Sequence, residues 1–284
     1  MFTRRDFGRI ALAAAPLSHL LAEVNSKFHG VQLGAQSYSF RDRPLDAAIA
    51  GMVEAGIGEV ELWQGHVEPP RGTAQDEVKK WRVAPETLEQ LKGVKKKFET
   101  AGIKIYAFNY SFRPNNTDEE MEHGMKMALA LGTKYITASA KVSMASRING
   151  FAKKHDVIVA MHGHSNIKDP EEFSTPETFE KAMAGNSNIK INLDIGHFTA
   201  AGHDPLAYLE KMHKDIVTLH IKDRKKDDGP NTVFGEGDTN IKGVLQLLKT
   251  KKYNIPANIE YEYKGADSVV EVKKCLEYCK AALA

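Results

Sequence analysis

Four residues of metal-binding type each stand directly after a short apolar run. The four runs and the residues that follow them are 157–161 and His162, 189–193 and Asp194, 216–219 and His220, and 257–259 and Glu260. The spacings of 32, 26 and 40 residues are close to the roughly 30 residues of one strand-plus-helix unit. Since parallel barrel strands all end at one rim, these side chains would converge there around a divalent metal ion.

The whole chain repeats this alternation of apolar and amphipathic segments after residue 28. Short, often β-branched segments predict strands at 31–36, 59–63, 103–108, 135–139, 157–162, 189–194, 216–221 and 257–262. Amphipathic segments predict helices at 45–55, 85–100, 118–131, 176–184, 205–213, 241–250 and 268–282. About eight strand–helix pairs in 284 residues predict an α/β fold, a closed (β/α)8 TIM barrel.

An open, doubly wound sheet is the competing architecture. No Gly-x-Gly-x-x-Gly follows the first predicted strand, so its dinucleotide-binding version has no support in the sequence. Two long connections after predicted strands, 64–81 and 224–240, are typical of the loops that build the mouth of a barrel.

Polar residues fall on one parity of the predicted strands. Side chains alternate between the two faces of a strand, so residues two apart share a face. The sets that share a face in this way are Glu59, Glu61 and Trp63; Ala160, His162 and His164; Asn192 and Asp194; Thr218, His220 and Lys222; and Asn258, Glu260 and Glu262. Charges inside a barrel are costly unless they are paired or metal-bound, and four ligand types at matched heights favour a bound cation over isolated core pairs.

The N-terminus predicts a separate segment. Thr3-Arg4-Arg5-Asp6-Phe7, followed by the weakly apolar 10–16, resembles a twin-arginine export signal. The alternative is a chance Arg-Arg pair before an amphipathic helix. We therefore expect a signal segment at 1–25, a single catalytic barrel at 26–284, and a periplasmic or other extracytoplasmic location. The apolar stretch is too short to span a bilayer, so stable membrane insertion after export is not expected.

Overall charge argues against a nucleic-acid partner. Lys plus Arg (39) nearly balances Asp plus Glu (37), which leaves a net charge of +2. The sequence shows no basic stripe interleaved with aromatic residues.

The second half of the chain carries a family resemblance. Its motifs are Leu193-Asp194-Ile195-Gly196-His197, Ala201-Gly202-His203-Asp204-Pro205, Leu219-His220-Ile221-Lys222-Asp223, Gly235-Glu236-Gly237 and Ile259-Glu260-Tyr261-Glu262. Together they resemble the sugar phosphate isomerase/epimerase family, whose members have xylose isomerase-like barrels, over roughly residues 30–282. The resemblance implies metal ligation by Asp194, His220 and Glu260. It also implies that His197 touches the substrate and that Lys222 and Glu236 line the pocket.

One position departs from that family. Its ketose epimerases carry a glutamate at the end of the fifth strand, where it binds the metal and exchanges a proton with the sugar. Here Met161-His162-Gly163-His164-Ser165 stands in its place. Either histidine could ligate the metal or act as a base near pH 7, and parity does not distinguish them. Elimination or hydration beside a keto group therefore becomes a variant to consider.

These observations predict a metal-dependent sugar isomerase or epimerase that removes a proton next to a keto group. One divalent ion (Mn, Mg, Zn or Co) is expected, with His162 or His164 facing Glu260 as the acid/base pair and Glu61 helping to bind hydroxyls. The expected partner is a small-molecule sugar, and a homo-oligomer is left open. The alternatives are a keto-sugar lyase or hydratase of the 3-keto-glycoside type, an exported sugar-binding protein without chemistry, and a metal phosphodiesterase like the DNA-repair endonucleases of this fold. The last would need more ligands and a basic face.

Overall fold

Eight parallel strands close into a barrel in the computed structural model, which describes residues 23–284. Each strand pairs with its neighbour in the sequence, and the first barrel strand pairs with the last to complete the ring. A two-residue strand precedes the barrel and runs antiparallel to its first strand. The predicted TIM barrel is therefore confirmed. The predicted signal segment at 1–25 lies outside the described residues except for its last three positions.

The strands are β1 (Lys27–Phe28), β2 (Val31–Gln36), β3 (Glu59–Trp63), β4 (Lys104–Asn109), β5 (Tyr135–Ala138), β6 (Ile158–His162), β7 (Ile189–Asp194), β8 (Ile216–Ile221) and β9 (Ala257–Ile259). The helices are α1 (Leu45–Ala55), α2 (Gln75–Val83), α3 (Pro85–Thr100), α4 (Asp118–Ala130), α5 (Ala145–Lys154), α6 (Pro176–Met183), α7 (Ile195–Ala200), α8 (Pro205–Met212), α9 (Ile241–Lys251) and α10 (Ser268–Leu283). No helix within residues 23–284 is long and apolar enough to cross a membrane.

Three helices were not among the predicted elements. Helix α2 lies inside the predicted loop 64–81 and buries none of its residues, so the sequence carries no apolar stripe there. Helix α5 buries only Ala145, Ile148 and Ala152, which is a narrow stripe for a helix of ten residues. Helix α7 is a single short helix of six residues directly after β7. The last strand, β9, also ends at Ile259, three residues before the predicted bound.

The barrel interior is lined by polar side chains, several of which hydrogen-bond to one another. Asn109 Nδ2 donates to Thr137 Oγ1 at 3.1 Å, and Asn258 Nδ2 donates to Thr218 Oγ1 at 2.8 Å. A Cβ atom at Gly34 would lie 2.2 Å from the Asn258 side-chain oxygen, so β2 needs a glycine opposite that amide. The predicted parity is confirmed, and the ends of β6, β7, β8 and β9 point their polar residues into one mouth.

Candidate active site

The four predicted metal ligands meet at the carboxyl end of the barrel. One ligand atom of each of His162, Asp194, His220 and Glu260 lies within 4.8 Å of the corresponding atom of every other, and all four residues are buried. His162 Nε2 lies 3.1 Å from His220 Nδ1, and His220 Nδ1 lies 3.0 Å from Glu260 Oε2. Ligand atoms that bind one ion at about 2.0–2.2 Å lie at separations comparable to the 4.8 Å limit of this cluster. The donor set of two imidazoles and two carboxylates therefore fits a single divalent ion.

The charge balance of the cluster also favours a bound cation. The carboxylates of Glu61, Asp194 and Glu260 are buried around it, and Lys222 is the one lysine or arginine among the described residues that contacts them. Buried carboxylates need compensation by positive charge, since water does not screen them. A divalent ion would supply that charge.

His220 is the residue that this surplus of negative charge affects most. Burial by itself lowers the pKa of the His220 imidazole, but the carboxylates of Glu61 and Glu260 outweigh burial and hold its pKa well above the usual value. A metal ion bound at Nδ1 of His220 would take the place of a proton there.

Glu61 lies behind His220 and does not line the polar cavity above the cluster. Its two carboxylate oxygens lie 3.0 and 2.9 Å from His220 Nε2, and it accepts hydrogen bonds from Thr137 Oγ1 at 2.7 Å and Gln36 Nε2 at 3.2 Å. The prediction that Glu61 binds substrate hydroxyls is wrong, because its carboxylate is fully buried and directed at the imidazole of His220. A carboxylate in this place fixes the ring so that Nδ1 faces the cluster.

Lys222 lies beside the four candidate metal ligands. Its ammonium nitrogen is 3.1 Å from Asp194 Oδ2, 2.8 Å from Glu260 Oε2 and 2.6 Å from Glu262 Oε2. Burial alone would lower the pKa of Lys222, but the three carboxylates outweigh it and raise the pKa, so the ammonium stays charged. A Cβ at Gly196 would lie 2.8 Å from the Lys222 backbone oxygen, which explains the glycine at the start of helix α7.

The structure separates the two histidines that parity could not distinguish. His162 joins the ligand cluster, with Nε2 3.4 Å from Asp194 Oδ2. His164 lies on the cavity wall, where its Nδ1 is 2.8 Å from Glu172 Oε1. With Nδ1–H donating to that carboxylate, Nε2 of His164 is left as a proton acceptor.

His197 is held by an arginine that the sequence did not single out. Arg224 Nη1 donates to His197 Nδ1 at 2.6 Å, and Arg224 also donates to the backbone oxygen of Gly229. Because a guanidinium can only donate, His197 Nδ1 must be the acceptor and Nε2 carries the proton. Burial, together with the charge of Lys222, keeps the pKa of His197 well below its usual value, so the ring is neutral.

The resemblance implies that Glu236 lines the pocket, but Glu236 lies outside the cavity. The carboxylate of Asp223 accepts backbone N–H groups from Gly235, Gly237 and Thr239 at 2.7, 3.0 and 3.2 Å. This folds the Gly-Glu-Gly turn onto Asp223 and leaves the Glu236 side chain exposed. The turn shapes the loop after β8 and does not supply a pocket residue.

A polar cavity of about 440 Å³ stands over the cluster, within the size range of small-molecule sites. Its lining residues are Gln36, Tyr38, Trp63, Asn109, Ser111, Arg113, Ser139, His162, His164, His197, His220, Lys222, Glu260 and Glu262. The amide, hydroxyl and guanidinium groups from β2, β4, β5 and the segments that follow them were not predicted. Phe108, on β4, is fully buried in the core.

A family model that matches most of the chain shows which family the chain belongs to. The sequence model of the xylose isomerase-like TIM barrel family matches residues 52–281. This chain belongs to that family. Among solved structures, a sugar phosphate isomerase/epimerase from Parabacteroides distasonis is 18% identical with a TM-score of 0.65, and the match covers 90% of this chain and 98% of that one. The zinc-bound IolI protein is 19% identical with a TM-score of 0.65, covering 88% and 98%. At these sequence identities, the two solved structures show only that this chain has a similar fold.

Curated relatives match over shorter stretches. An uncharacterised protein of Methanocaldococcus jannaschii is 27% identical over 140 residues, which is 48% of this chain and 46% of that protein. An inosose dehydratase of Mesomycoplasma hyopneumoniae is 22% identical over 183 residues, 56% of this chain and 60% of the relative. The chain thus spans less than two thirds of the length of these relatives.

Proposed function

We propose that this protein is an enzyme that binds one divalent metal ion and removes a proton next to the carbonyl of a keto-sugar. The observation that carries the proposal is the convergence of His162, Asp194, His220 and Glu260 at the floor of a polar cavity. The family supports an enzyme of this kind, since the solved structures that this chain resembles include a sugar phosphate isomerase/epimerase.

Three residues of the cavity have roles in this reaction. When bound, a divalent ion polarises the carbonyl and acidifies the adjacent C–H. His164, whose Nδ1 is paired with Glu172, offers Nε2 as the base that takes the proton. His197 presents an N–H donor to the sugar oxygens, and the ammonium of Lys222, which stays charged, stabilises negative charge that develops on oxygen.

The fate of the proton distinguishes two reactions. An isomerase or epimerase returns it to the same or the neighbouring carbon, and Glu260 is the second acid/base group in that case. A keto-sugar lyase or dehydratase instead expels the leaving group on the next carbon. His162 favours the lyase or dehydratase, because the ketose epimerases of the family that this sequence resembles carry a glutamate at this position. The similarity to an inosose dehydratase supports it as well.

The test combines metal analysis with hydrogen exchange. Purified protein is analysed for bound metal and then incubated in deuterated water with fructose, an inosose and a 3-keto-glycoside, with NMR as the readout. We expect about one metal per chain and metal-dependent exchange of deuterium into one carbon next to the carbonyl. Release of a leaving group along with the exchange would indicate the lyase. Tight sugar binding without exchange would contradict catalysis and favour an exported binding protein.

We also propose that the protein is exported through the twin-arginine route. The Arg4-Arg5 pair near the N-terminus supports this location. Fractionation of cells that express the full chain and its Arg4→Lys/Arg5→Lys variant provides the test. Equal amounts of both proteins outside the cytoplasm would contradict it.

A further inference from the structure

A second cavity of about 310 Å³ adjoins the one that holds the proposed metal site. The two cavities share Trp63 and Arg113 in their walls. We propose that this second cavity is an anion-binding subsite, which holds a carboxylate or phosphate group carried by the sugar. The inference rests on the proposed function, because it extends the same sugar site.

Positive charge exceeds negative charge around this second cavity. Its lining includes the four cations Arg71, Lys79, Arg82 and Arg113 and the two carboxylates Glu68 and Glu120. Arg82 pairs with both carboxylates, with its Nε 2.8 Å from Glu68 and its Nη1 3.9 Å from Glu120.

Both carboxylates are further engaged by neutral donors. Glu68 accepts from Gln64 Nε2 at 3.0 Å, and Glu120 accepts from Asn116 Nδ2 at 3.2 Å. Within residues 23–284, Arg71, Lys79 and Arg113 have no carboxylate within 4.0 Å. Three cations therefore line the cavity without internal compensation, which suits an anionic ligand.

Trp63 forms the wall between the two cavities, and the fold fixes its ring. Tyr38 meets the indole edge-on at 4.9 Å between ring centroids, and a Cβ at Gly65 would lie 2.2 Å from the indole. The Arg71 guanidinium lies 5.5 Å from the centre of the same ring. An arginine stacked on an aromatic ring is partly pre-ordered, and its planar fork binds carboxylate or phosphate through two parallel hydrogen bonds.

The position of Arg113 links the anion to the sugar. Arg113 lines both cavities, so a ligand that fills the first with its sugar ring can reach Arg113 and Arg71 with a charged group. The charged group can be the carboxylate of an acidic second sugar unit or a phosphate on the sugar itself. Both give the same contacts with arginine, and the ligands in the test separate them.

Isothermal titration calorimetry on the purified protein tests the subsite with two matched pairs of ligands. The first pair is cellobiose and cellobionate, and the second is glucose and glucose 6-phosphate. We expect the anionic member of at least one pair to bind about tenfold more tightly than its neutral partner. This preference should fall as salt rises from about 50 mM to about 500 mM, because the cations lie near solvent. The pair that shows the preference identifies the source of the anion.

The Arg71→Gln/Arg113→Gln variant should lose the preference for the anionic member of the pair. The matched control is Lys92→Gln/Lys96→Gln, which removes the same charge from helix α3 and should keep the preference. If the double arginine variant does not fold, the two single variants replace it.

Three results would overturn the inference: no binding of either anionic ligand, equal binding within both pairs, or a preference that survives the loss of both arginines. None of them concerns metal binding or deuterium exchange, so they leave the proposed function standing. Conversely, loss of exchange with an intact anion preference would refute the proposed reaction and keep the subsite.

Discussion

The two halves of the barrel contribute different chemistry to one mouth. Strands β6 to β9 end in the four candidate ligands and lead into Lys222 and Glu262, so titratable groups dominate this half. Strands β2 to β5 and the residues after them contribute mainly amide, hydroxyl and aromatic groups to the cavity. These are Gln36, Tyr38, Trp63, Asn109, Ser111 and Ser139. Under the proposed function, one half would carry out the reaction and the other would recognise the sugar.

The strongest way to break this division is to remove a ligand from the reactive half. In His220→Ala, the cluster loses a nitrogen donor and Glu61 loses its buried partner. We expect loss of the bound metal and of deuterium exchange, by more than the roughly 10–100-fold typical of residues that only support a ligand. Metal analysis and exchange NMR measure this, and circular dichroism checks the fold.

Asn109→Ala is the matched control, because Asn109 lies in the same mouth but in the recognition half. It should keep the metal. A fully active His220→Ala protein without metal would show that the cluster is not a metal site.

The second prediction concerns Glu61, the buried carboxylate of β3 that contacts His220. Glu61→Gln keeps the shape of the side chain but removes the charge that orients His220. We expect metal affinity to fall by about 10–100-fold, measured by competition with a chelator. Glu59→Gln, two residues earlier on the same strand face, should leave metal affinity unchanged. If both substitutions lower metal affinity equally, Glu61 acts only through its negative charge and not by orienting His220.

The same division explains which parts of the site the sequence could predict. Ligands in the second half follow strongly apolar strands at barrel spacing, and parity places them on one face. Each of His162, Asp194, His220 and Glu260 could therefore be named before the structure. The contact between Glu61 and His220 depends on the closure of the barrel, which brings β3 near β8. Residues 159 positions apart meet there, and no local pattern records that contact.

Loops were the least predictable part of the molecule. Arg224 lies in a connection without periodicity, and its contact with His197 depends on how that loop folds back over Gly229. Glu236 shows the opposite error. The Gly-Glu-Gly motif was visible, but the carboxylate of Asp223 holds its backbone and turns the glutamate outward.

Arg224 gives the third prediction, within the reactive half. Replacing it by Met removes the donor that fixes the proton of His197 on Nε2. We expect kcat to fall by about tenfold, the effect of losing one hydrogen bond to a charged group of roughly 1.5 kcal/mol. Nitrogen-15 NMR of the imidazole should show a mixture of tautomers in the variant. Arg224→Lys, which keeps a donor, should restore part of the activity. An unchanged tautomer in Arg224→Met would contradict this role.

Trp63 tests the recognition half with a smaller effect. Trp63→Leu removes the flat aromatic wall between the two cavities while keeping an apolar side chain. Aromatic contacts of this kind contribute about 0.5–1.5 kcal/mol, so we expect KM to rise by roughly 2–12-fold with kcat unchanged. Steady-state kinetics on the substrate found by exchange NMR separates the two constants. A fall in kcat with constant KM would place Trp63 in the reactive half instead.

The smallest expected effect concerns Glu59, at the opposite end of β3 from the mouth. Burial raises the pKa of Glu59, and the charge of Lys104, 3.3 Å away, lowers it only in part. In residues 23–284, one Glu59 carboxylate oxygen has no hydrogen-bond partner, whereas Glu61 receives bonds from two side chains besides His220. A carboxyl whose pKa is raised on folding destabilises the native state at pH values above that pKa, where the buried group is charged. This cost disappears as pH falls below the unfolded value of about 4.3.

Glu59→Gln should therefore raise the free energy of unfolding slightly at pH 7, and the gain should shrink toward pH 4. Urea unfolding at both pH values measures it. A gain that grows on acidification would have the wrong sign for a raised pKa. A loss of stability at pH 7 would mean that the ion pair with Lys104 outweighs burial. Only with the expected sign do the two glutamates of β3 differ as the fold implies, one costing stability because burial outweighs its ion pair with Lys104 and the other orienting a candidate metal ligand.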